Sequence, residues 1–189
     1  MDALLYSFTG VAIAEIGDKT QLLSLFLAAR FRSKIAICLG ILVATLLNHA
    51  VSAWLGAWAA QFIPASWQAP LLGASFIVVA LWLLIPDKDD SEENSWLKYG
   101  AFAASCLLFF VAEIGDKTQI ATVLLAATYP ETWLVILGTT LGMLAANVPV
   151  VYFGAMLMAK IPLSLARKAA CGVFFLIGVL TIWGGSILN

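Results

Sequence analysis

Long apolar runs separated by short polar segments dominate the chain. They cover residues 3–29, 35–62, 70–86, 98–128, 132–159 and 168–188. The runs are continuous and do not alternate in polarity as barrel strands do, and about 20 apolar residues are enough for a helix to cross a bilayer. The pattern therefore predicts an all-α integral membrane protein with six transmembrane helices.

The composition points to the same class of protein. Hydrophobic residues make up 62% of the 189 residues and charged residues only 11%, whereas soluble domains carry about 25% charged residues. The first apolar run lacks a basic start and carries Glu15 and Asp18 at its middle. We therefore interpret it as a mature span and not as a signal peptide.

Basic residues outside the runs fall in alternate connections. These residues are Arg30, Arg32, Lys34, Lys88, Lys98, Lys160, Arg167 and Lys168. Because basic loops face the cytoplasm, both termini are predicted on the opposite side of the membrane. The sequence contains no basic tract that would indicate a nucleic-acid partner. Cys38, Cys106 and Cys171 stand singly in apolar runs, which favours small buried hydrophobic residues over disulfides.

An internal duplication organises the chain. AEIGDKTQ occurs at 14–21 and again at 112–119, and the 26 residues from Leu39 align without gaps on those from Leu137. We therefore predict two homologous halves, 1–86 and 98–189, joined by an acidic cytoplasmic linker at 87–97. With three spans in each half, the second half enters the membrane upside down. This is the inverted-repeat architecture of secondary transporters.

The repeated motif places four acids at the middle of the membrane. Glu15 and Asp18 lie halfway along the first span, and Glu113 and Asp116 halfway along the fourth. On a helix, residues three apart share a face, so each pair can point at one spot. A carboxylate at the bilayer centre costs about 2.5–3.5 kcal/mol, and intramembrane ionisable residues are functional by default. These four acids are therefore the candidate metal ligands.

Other motif residues surround this candidate site. Gly17 and Gly115 either allow a close helix approach or let the helix open and expose carbonyls. Six further residues of the motifs supply ammonium groups or neutral oxygens next to the acids. They are Lys19, Thr20 and Gln21 in the first motif and Lys117, Thr118 and Gln119 in the second.

Charge balance indicates the kind of ligand. Lys19 shares a helix face with Glu15, and Lys117 with Glu113, so each glutamate could simply pair with its lysine. Four acids against two lysines, however, leave a formal charge of −2, which one divalent cation would cancel. Oxygen ligands suit Mg²⁺, Ca²⁺ or Mn²⁺. Crowded carboxylates also take up protons, so metal and protons would compete as in an antiporter.

Three polar residues of the second and fifth spans have two interpretations. Asn48 and His49 lie in the second span, and Asn147 aligns with His49 in the fifth. Such residues can hydrogen-bond a neighbouring helix. They could instead extend the ion site, where His49 would add a softer ligand that favours manganese over calcium.

Rival functions remain open at this point. The acids could serve a transporter of a cationic organic solute, although such a substrate also needs an apolar pocket. They could belong to an intramembrane metal-dependent enzyme, or to a channel without proton coupling. No nucleophile constellation is evident, so we expect no enzyme and no cofactor. A homo-oligomer is left open, and the sequence does not rank Mn²⁺ against Ca²⁺.

Two Glu-x-Gly-Asp-Lys-Thr motifs, each opening a half of three spans, resemble the signature of the Golgi Gdt-type cation/proton exchangers and their bacterial MneA-type manganese exporter relatives. The resemblance covers essentially the whole chain. It implies manganese as substrate, calcium for some members, and protons as counter-ion. It carries the metal site onto Glu15, Asp18, Glu113 and Asp116, with Lys19, Thr20, Lys117 and Thr118 as associated residues. The absence of an extra amino-terminal region resembles prokaryotic members, which implies export across a bacterial inner membrane.

Overall fold

The computed structural model describes residues 2–85, 95–158 and 163–187. Every regular element in these ranges is helical, which confirms the all-α class. The helices are α1 Asp2–Ala14, α2 Lys19–Arg30, α3 Lys34–Ala60, α4 Ala65–Trp82, α5 Gly100–Glu113, α6 Lys117–Thr128, α7 Thr132–Met158 and α8 Leu163–Ile187. A 3₁₀ turn at Ser95–Tyr99 precedes α5. Most of the predicted linker 87–97 lies outside the described residues.

The helices have the length and surface of a membrane protein. Among the described residues, three helical segments are long and apolar enough to cross a bilayer: Lys34–Ala60, Trp96–Glu113 and Thr132–Gly154. Shorter apolar helices cover Asp2–Ala14, Ser66–Trp82 and Lys168–Trp183. Large apolar side chains face outward while many polar side chains are buried. This inside-out distribution fits a lipid environment and not water.

The helix starts repeat along the chain with one fixed offset. Each helix of the second half begins 98 residues after its counterpart, from α1 and α5 to α4 and α8. The α2 and α6 helices both have 12 residues, and α3 and α7 both have 27. The duplicated sequence therefore folds into the same succession of elements twice.

The two halves pack against each other in reciprocal pairs. The α1 helix lies along α7, and α5 lies along α3. Small residues allow the close approach at both crossings: a Cβ built on Gly138 would lie 2.8 Å from Ser7 Cβ, and one on Gly40 would lie 2.7 Å from Ser105 Cβ. Close backbone contact of this kind holds helices together where lipid removes the hydrophobic driving force.

The helices α4 and α8 form a pair of their own. The ring centroids of Phe76 and Phe174, which occupy equivalent positions in the two halves, lie 6.2 Å apart. Both side chains are fully buried. The pair therefore joins the two halves through an aromatic contact.

The continuous helix expected through each motif is wrong. The first apolar run is divided into α1 and α2, and the fourth into α5 and α6, with the break at the glycine of each motif. Gly17 has φ 83° and Gly115 has φ 75°, a left-handed conformation that interrupts a right-handed helix and that glycine adopts without steric cost. Of the two roles expected for these glycines, the opening of the helix is the one observed.

We predict that Gly56→Ala destabilises the protein. An added Cβ would overlap the Val123 carbonyl of α6, and overpacking of this kind costs about 1–3 kcal/mol. The measurement is thermal unfolding of the purified protein in detergent, where Gly56→Ala should lower the midpoint.

Gly172→Ala is the matched control, because a Cβ there meets nothing within 4 Å. Its midpoint should equal or exceed that of the wild type, since alanine is the better helix former. Equal midpoints for the two variants would contradict the close packing of α3 on α6.

Candidate metal centre

Each helix break is held by a glutamine of its own motif. The Gly17 N–H donates to Gln21 Oε1 at 2.8 Å, and the Gly115 N–H donates to Gln119 Oε1 at 2.7 Å. A broken helix leaves backbone groups without partners, which is costly away from water. The two glutamines therefore act first on the backbone of the break. Each amide oxygen accepts a hydrogen bond from the glycine at the break.

Three acids from the two breaks meet in the interior. Single carboxylate oxygens of Glu15, Glu113 and Asp116 all lie within 4.8 Å of one another. Both glutamates are fully buried, and Asp116 is 5% exposed. Asp18, the fourth predicted ligand, is also buried but does not belong to this group. The structure thus brings together residues 98 positions apart from both halves.

Threonine hydroxyls orient the carboxylates. Thr20 donates to Glu15 Oε2, and the Thr118 hydroxyl lies 3.0 Å from Glu113 Oε2 and 3.1 Å from Asp116 Oδ2. The second oxygens, Glu15 Oε1 and Glu113 Oε1, are buried without a hydrogen-bond partner among the described residues. Buried polar atoms are nearly always satisfied. Glu15 and Glu113 thus each keep one buried oxygen without the hydrogen bond that burial normally requires.

The lysine of the first motif pairs with an acid of the second motif. Lys19 Nζ lies 3.2 Å from Asp116 Oδ1 in the other half. Lys117 Nζ donates to the Ile85 carbonyl at 2.7 Å. The alternative in which each glutamate pairs with the lysine of its own motif assumed a continuous helix, and the break at each glycine removes that assumption. Lys19 is therefore an ammonium in contact with the group of three acids, and the three carboxylates with this one lysine carry a formal charge of −2 when all are ionised.

A small cavity adjoins the carboxylates. Its volume is about 10 Å³, the space of roughly one water-sized sphere. Both motifs and the end of α4 line it, through Ala14, Ile16, Gly17, Asp18, Leu83, Asp116, Lys117 and Thr118. Asp18 thus lies at the same enclosure as Asp116 although it is outside the group of three. A space of this size holds a single small ion.

The two asparagines of the neighbouring helices contact other helices. Asn48 donates to the Phe110 carbonyl at 3.1 Å. Asn147 accepts from the Ser24 hydroxyl at 2.8 Å and donates to the Met143 carbonyl at 3.1 Å. Both asparagine side chains therefore form the hydrogen bonds to neighbouring helices that were one of the two interpretations from the sequence.

His49 has a different environment. It is fully buried, and neither ring nitrogen has a partner among the described residues. It is not one of the grouped residues, so the structure does not place the softer ligand beside the three carboxylates.

Ser24 was missed by the sequence analysis. It is buried at the α2–α7 contact, one turn beyond Thr20. Thr122, its equivalent 98 residues later, also carries a buried hydroxyl, which donates to the Thr118 carbonyl. This repetition of a hydroxyl in both halves is the signal that could have identified the position.

Both halves of the chain, including the two motifs, are similar to a known protein family. Residues 3–91 and 101–187 match the family model described as divalent cation/proton antiporter GDT1. The chain belongs to the GDT1 family. It is therefore a membrane cation transporter, and a transporter family argues against an enzyme. The match leaves out only a short stretch between the two halves.

Two relatives extend the comparison. The GDT1-family chain is 52% identical over 183 residues to a protein of Vibrio cholerae serotype O1 described as "Putative manganese exporter", covering 96% of this chain and 90% of the relative. It is 27% identical over 197 residues to "GDT1-like protein sll0615" of Synechocystis, covering 92% and 93%. No solved structure matches this GDT1-family chain.

We predict that Glu113→Gln weakens Mn²⁺ binding by at least about tenfold, because hydrogen bonds and ligation by a charged oxygen contribute on the order of 1.5–3 kcal/mol. The measurement is titration of Mn²⁺ into the purified GDT1-family protein by calorimetry. Glu131→Gln is the matched control, since it removes the same charge from an exposed residue between α6 and α7. Equal affinities of the two variants would exclude Glu113 as a ligand.

Proposed function

We propose that this protein exports Mn²⁺ across a bacterial inner membrane in exchange for protons. One observation carries the proposal: three buried carboxylates converge, and two of their oxygens have no hydrogen-bond partner among the described residues. Glu15, Glu113 and Asp116 supply the ligand oxygens, and Asp18 lies at the adjoining cavity. Thr20, Thr118, Gln21 and Gln119 orient the carboxylates and the breaks that carry them.

Charge balance supports exchange for protons. The formal charge of −2 that the three carboxylates carry with Lys19 can be cancelled by one divalent cation or by two protons. When the divalent cation occupies the site, the two protons are therefore excluded, and the reverse also holds. Outward movement of a divalent cation against an inside-negative potential costs about 4.6 kcal/mol per 100 mV, twice the value for one charge. Return of two protons cancels this electrical cost.

Two lines of support favour manganese. The ligands are carboxylate and hydroxyl oxygens, which suit Mn²⁺, Ca²⁺ and Mg²⁺ better than Zn²⁺ or Cu⁺. The description of the Vibrio relative names manganese. Ca²⁺ is the alternative cargo, because it binds the same kinds of oxygen ligand, although it prefers a larger number of them.

We further propose that the two halves, 1–86 and 98–189, span the membrane as inverted repeats of three spans. In this arrangement α1 with α2 forms one broken span, and α5 with α6 forms another. The offset of 98 residues and the reciprocal packing of α1 on α7 and α5 on α3 support it. Broken helices at the midplane are the usual binding elements of inverted-repeat transporters. The basic connections then face the cytoplasm, and both termini face the periplasm.

The proposed exchange predicts proton movement opposite to manganese in proteoliposomes of the purified protein. A pH-sensitive dye and an Mn²⁺-quenched dye inside the vesicles report the two fluxes. Mn²⁺ entry should raise the pH inside the vesicles as protons leave, and an imposed pH gradient should change the rate of Mn²⁺ entry. Manganese flux that ignores the gradient would indicate a channel and contradict the exchange.

In the same assay, Glu15→Gln and Asp116→Asn should each lower the Mn²⁺ flux by at least about 100-fold, since each removes a charged ligand whose energy is on the order of 3 kcal/mol. Glu131→Gln should keep wild-type flux. If Ca²⁺ shares the site, an excess of Ca²⁺ outside the vesicles should lower the Mn²⁺ flux. Wild-type flux in a correctly inserted Glu15→Gln protein would refute the assignment of the site.

A further inference from the structure

The turn between α2 and α3 carries three cationic side chains within five residues. Arg30 and Arg32 are exposed, and Lys34 is half-buried at the first position of α3. Because α3 is long and apolar enough to cross a bilayer, this turn lies where the chain leaves the hydrocarbon. Among the described residues, none of the three side chains forms an ion pair with an acid. The described part of the chain therefore leaves this positive charge uncompensated.

A fourth cation lies at the same end of the bundle. In the 3₁₀ turn Ser95–Tyr99, Leu97 packs against the same hydrophobic cluster as Phe31 of the α2–α3 turn. Lys98 of the 3₁₀ turn is exposed, and its Nζ lies 5.2 Å from the centroid of the Tyr99 ring. A lysine beside an exposed aromatic ring is typical of the boundary between membrane and water. The two turns together thus present four cationic groups at one end of the bundle.

Apolar side chains continue from these cations along the outer surface of the helices. Ile35 and Leu39, one turn apart on α3, are 68% and 48% exposed, and Phe102 of α5 is 46% exposed. A Cβ built on Gly40, the residue after Leu39, would meet the Phe102 carbonyl, so α3 and α5 border one stretch of this surface. A surface that is cationic at its end and apolar beyond it matches the chemistry of an anionic phospholipid.

The equivalent turn of the second half has the same length but not the charge. The turn between α6 and α7, residues 128–132, reads TYPET and contains Glu131 but no lysine or arginine. Beyond it, Trp133 and Leu137 of α7 are exposed, as their counterparts on α3 are. Because the helices and the apolar surface repeat while the charge does not, the fold itself does not require a basic turn.

We propose that the α2–α3 turn and the 3₁₀ turn together bind the headgroup of an anionic phospholipid. Arg30, Arg32 and Lys98 donate to the phosphate through charge-assisted hydrogen bonds, and the acyl chains lie along the exposed apolar side chains of α3 and α5. Lys34 Nζ donates to the Ala28 carbonyl at 2.6 Å, so it holds the turn at the end of α2 and adds to the positive charge.

A lipid in this position would connect the two halves of the protein. The α2 helix belongs to the first half and begins at the first motif, whereas α5 belongs to the second half and ends at the second motif. The two helices are in contact, and the proposed headgroup bridges the turns next to them. The proposal goes beyond the transport function and does not depend on which ion is transported.

Native mass spectrometry of the purified protein tests the proposal. The detergent solution contains phosphatidylglycerol and phosphatidylethanolamine in equal amounts and with identical acyl chains, so that only the headgroups differ. The wild type should retain phosphatidylglycerol at least about fivefold more than phosphatidylethanolamine, since one Lys or Arg near an anionic surface changes the affinity by about that factor. Equal retention of the two lipids would overturn the proposal.

Variants locate the binding. Arg30→Gln with Arg32→Gln should lower the retention of phosphatidylglycerol by at least about tenfold, because two of the four cations are lost. Arg30→Lys with Arg32→Lys keeps both charges and should stay close to the wild type. Arg167→Gln with Lys168→Gln is the matched control, since it removes the same charge from the first turns of α8, and it should leave retention unchanged. An equal loss in the two glutamine pairs would show an effect of net charge alone and refute the site.

Two further measurements distinguish the lipid from other anions. Glycerol phosphate, which has the phosphate but no acyl chains, should not displace phosphatidylglycerol at equal concentration, and displacement would indicate a site for soluble phosphate instead. The acidic linker is the other source of negative charge, and a variant with its five acids changed to amides should leave retention unchanged. These acids are Asp87, Asp89, Asp90, Glu92 and Glu93. A marked rise in retention would show that the linker, and not a lipid, covers the two turns.

Discussion

Carboxylates that lie within 4.8 Å of one another in a membrane interior must be neutralised, and the rest of the structure follows from this requirement. Their mutual repulsion is weakly screened because water is largely absent. One ammonium group and three threonine contacts offset part of it. In the proposed exchange, the cation and the protons supply the remainder in turn. A centre of this kind suits the cation transport of the GDT1 family.

The backbone at the centre is subject to a second requirement. Breaking two helices in the interior of a membrane protein leaves N–H groups that neither water nor lipid satisfies. Gln21 and Gln119 accept from the glycine N–H groups, and Gln21 also donates to the Ala146 carbonyl of α7 at 2.9 Å. This last contact lies three residues before Pro149, whose ring prevents normal helical bonding in that turn. The glutamine thus connects the first break to the turn of α7 that precedes Pro149.

The sequence allowed the helical class, the duplication and the four candidate acids to be predicted, because each depends on composition or on repetition along the chain. The partner of Lys19 could not be predicted. It comes from Asp116, almost a hundred residues away, and depends on the docking of two helix breaks. The i, i+3 spacing of Glu15 and Asp18 was misleading because it presupposed a helix through Gly17. The glycine alone allowed two outcomes, and only the tertiary arrangement decided between them.

The cavity beside the carboxylates has a volume of about 10 Å³, which has a consequence for selectivity against magnesium. An ion that reaches this space must leave nearly all its hydration shell behind, since a single water already fills it. Mg²⁺ loses its waters reluctantly and usually keeps several when bound to proteins. Larger divalent ions dehydrate more readily. In the proposed transport, a space of this size therefore disfavours Mg²⁺, the smallest of the three oxygen-binding cations, even though the ligand chemistry alone would accept it.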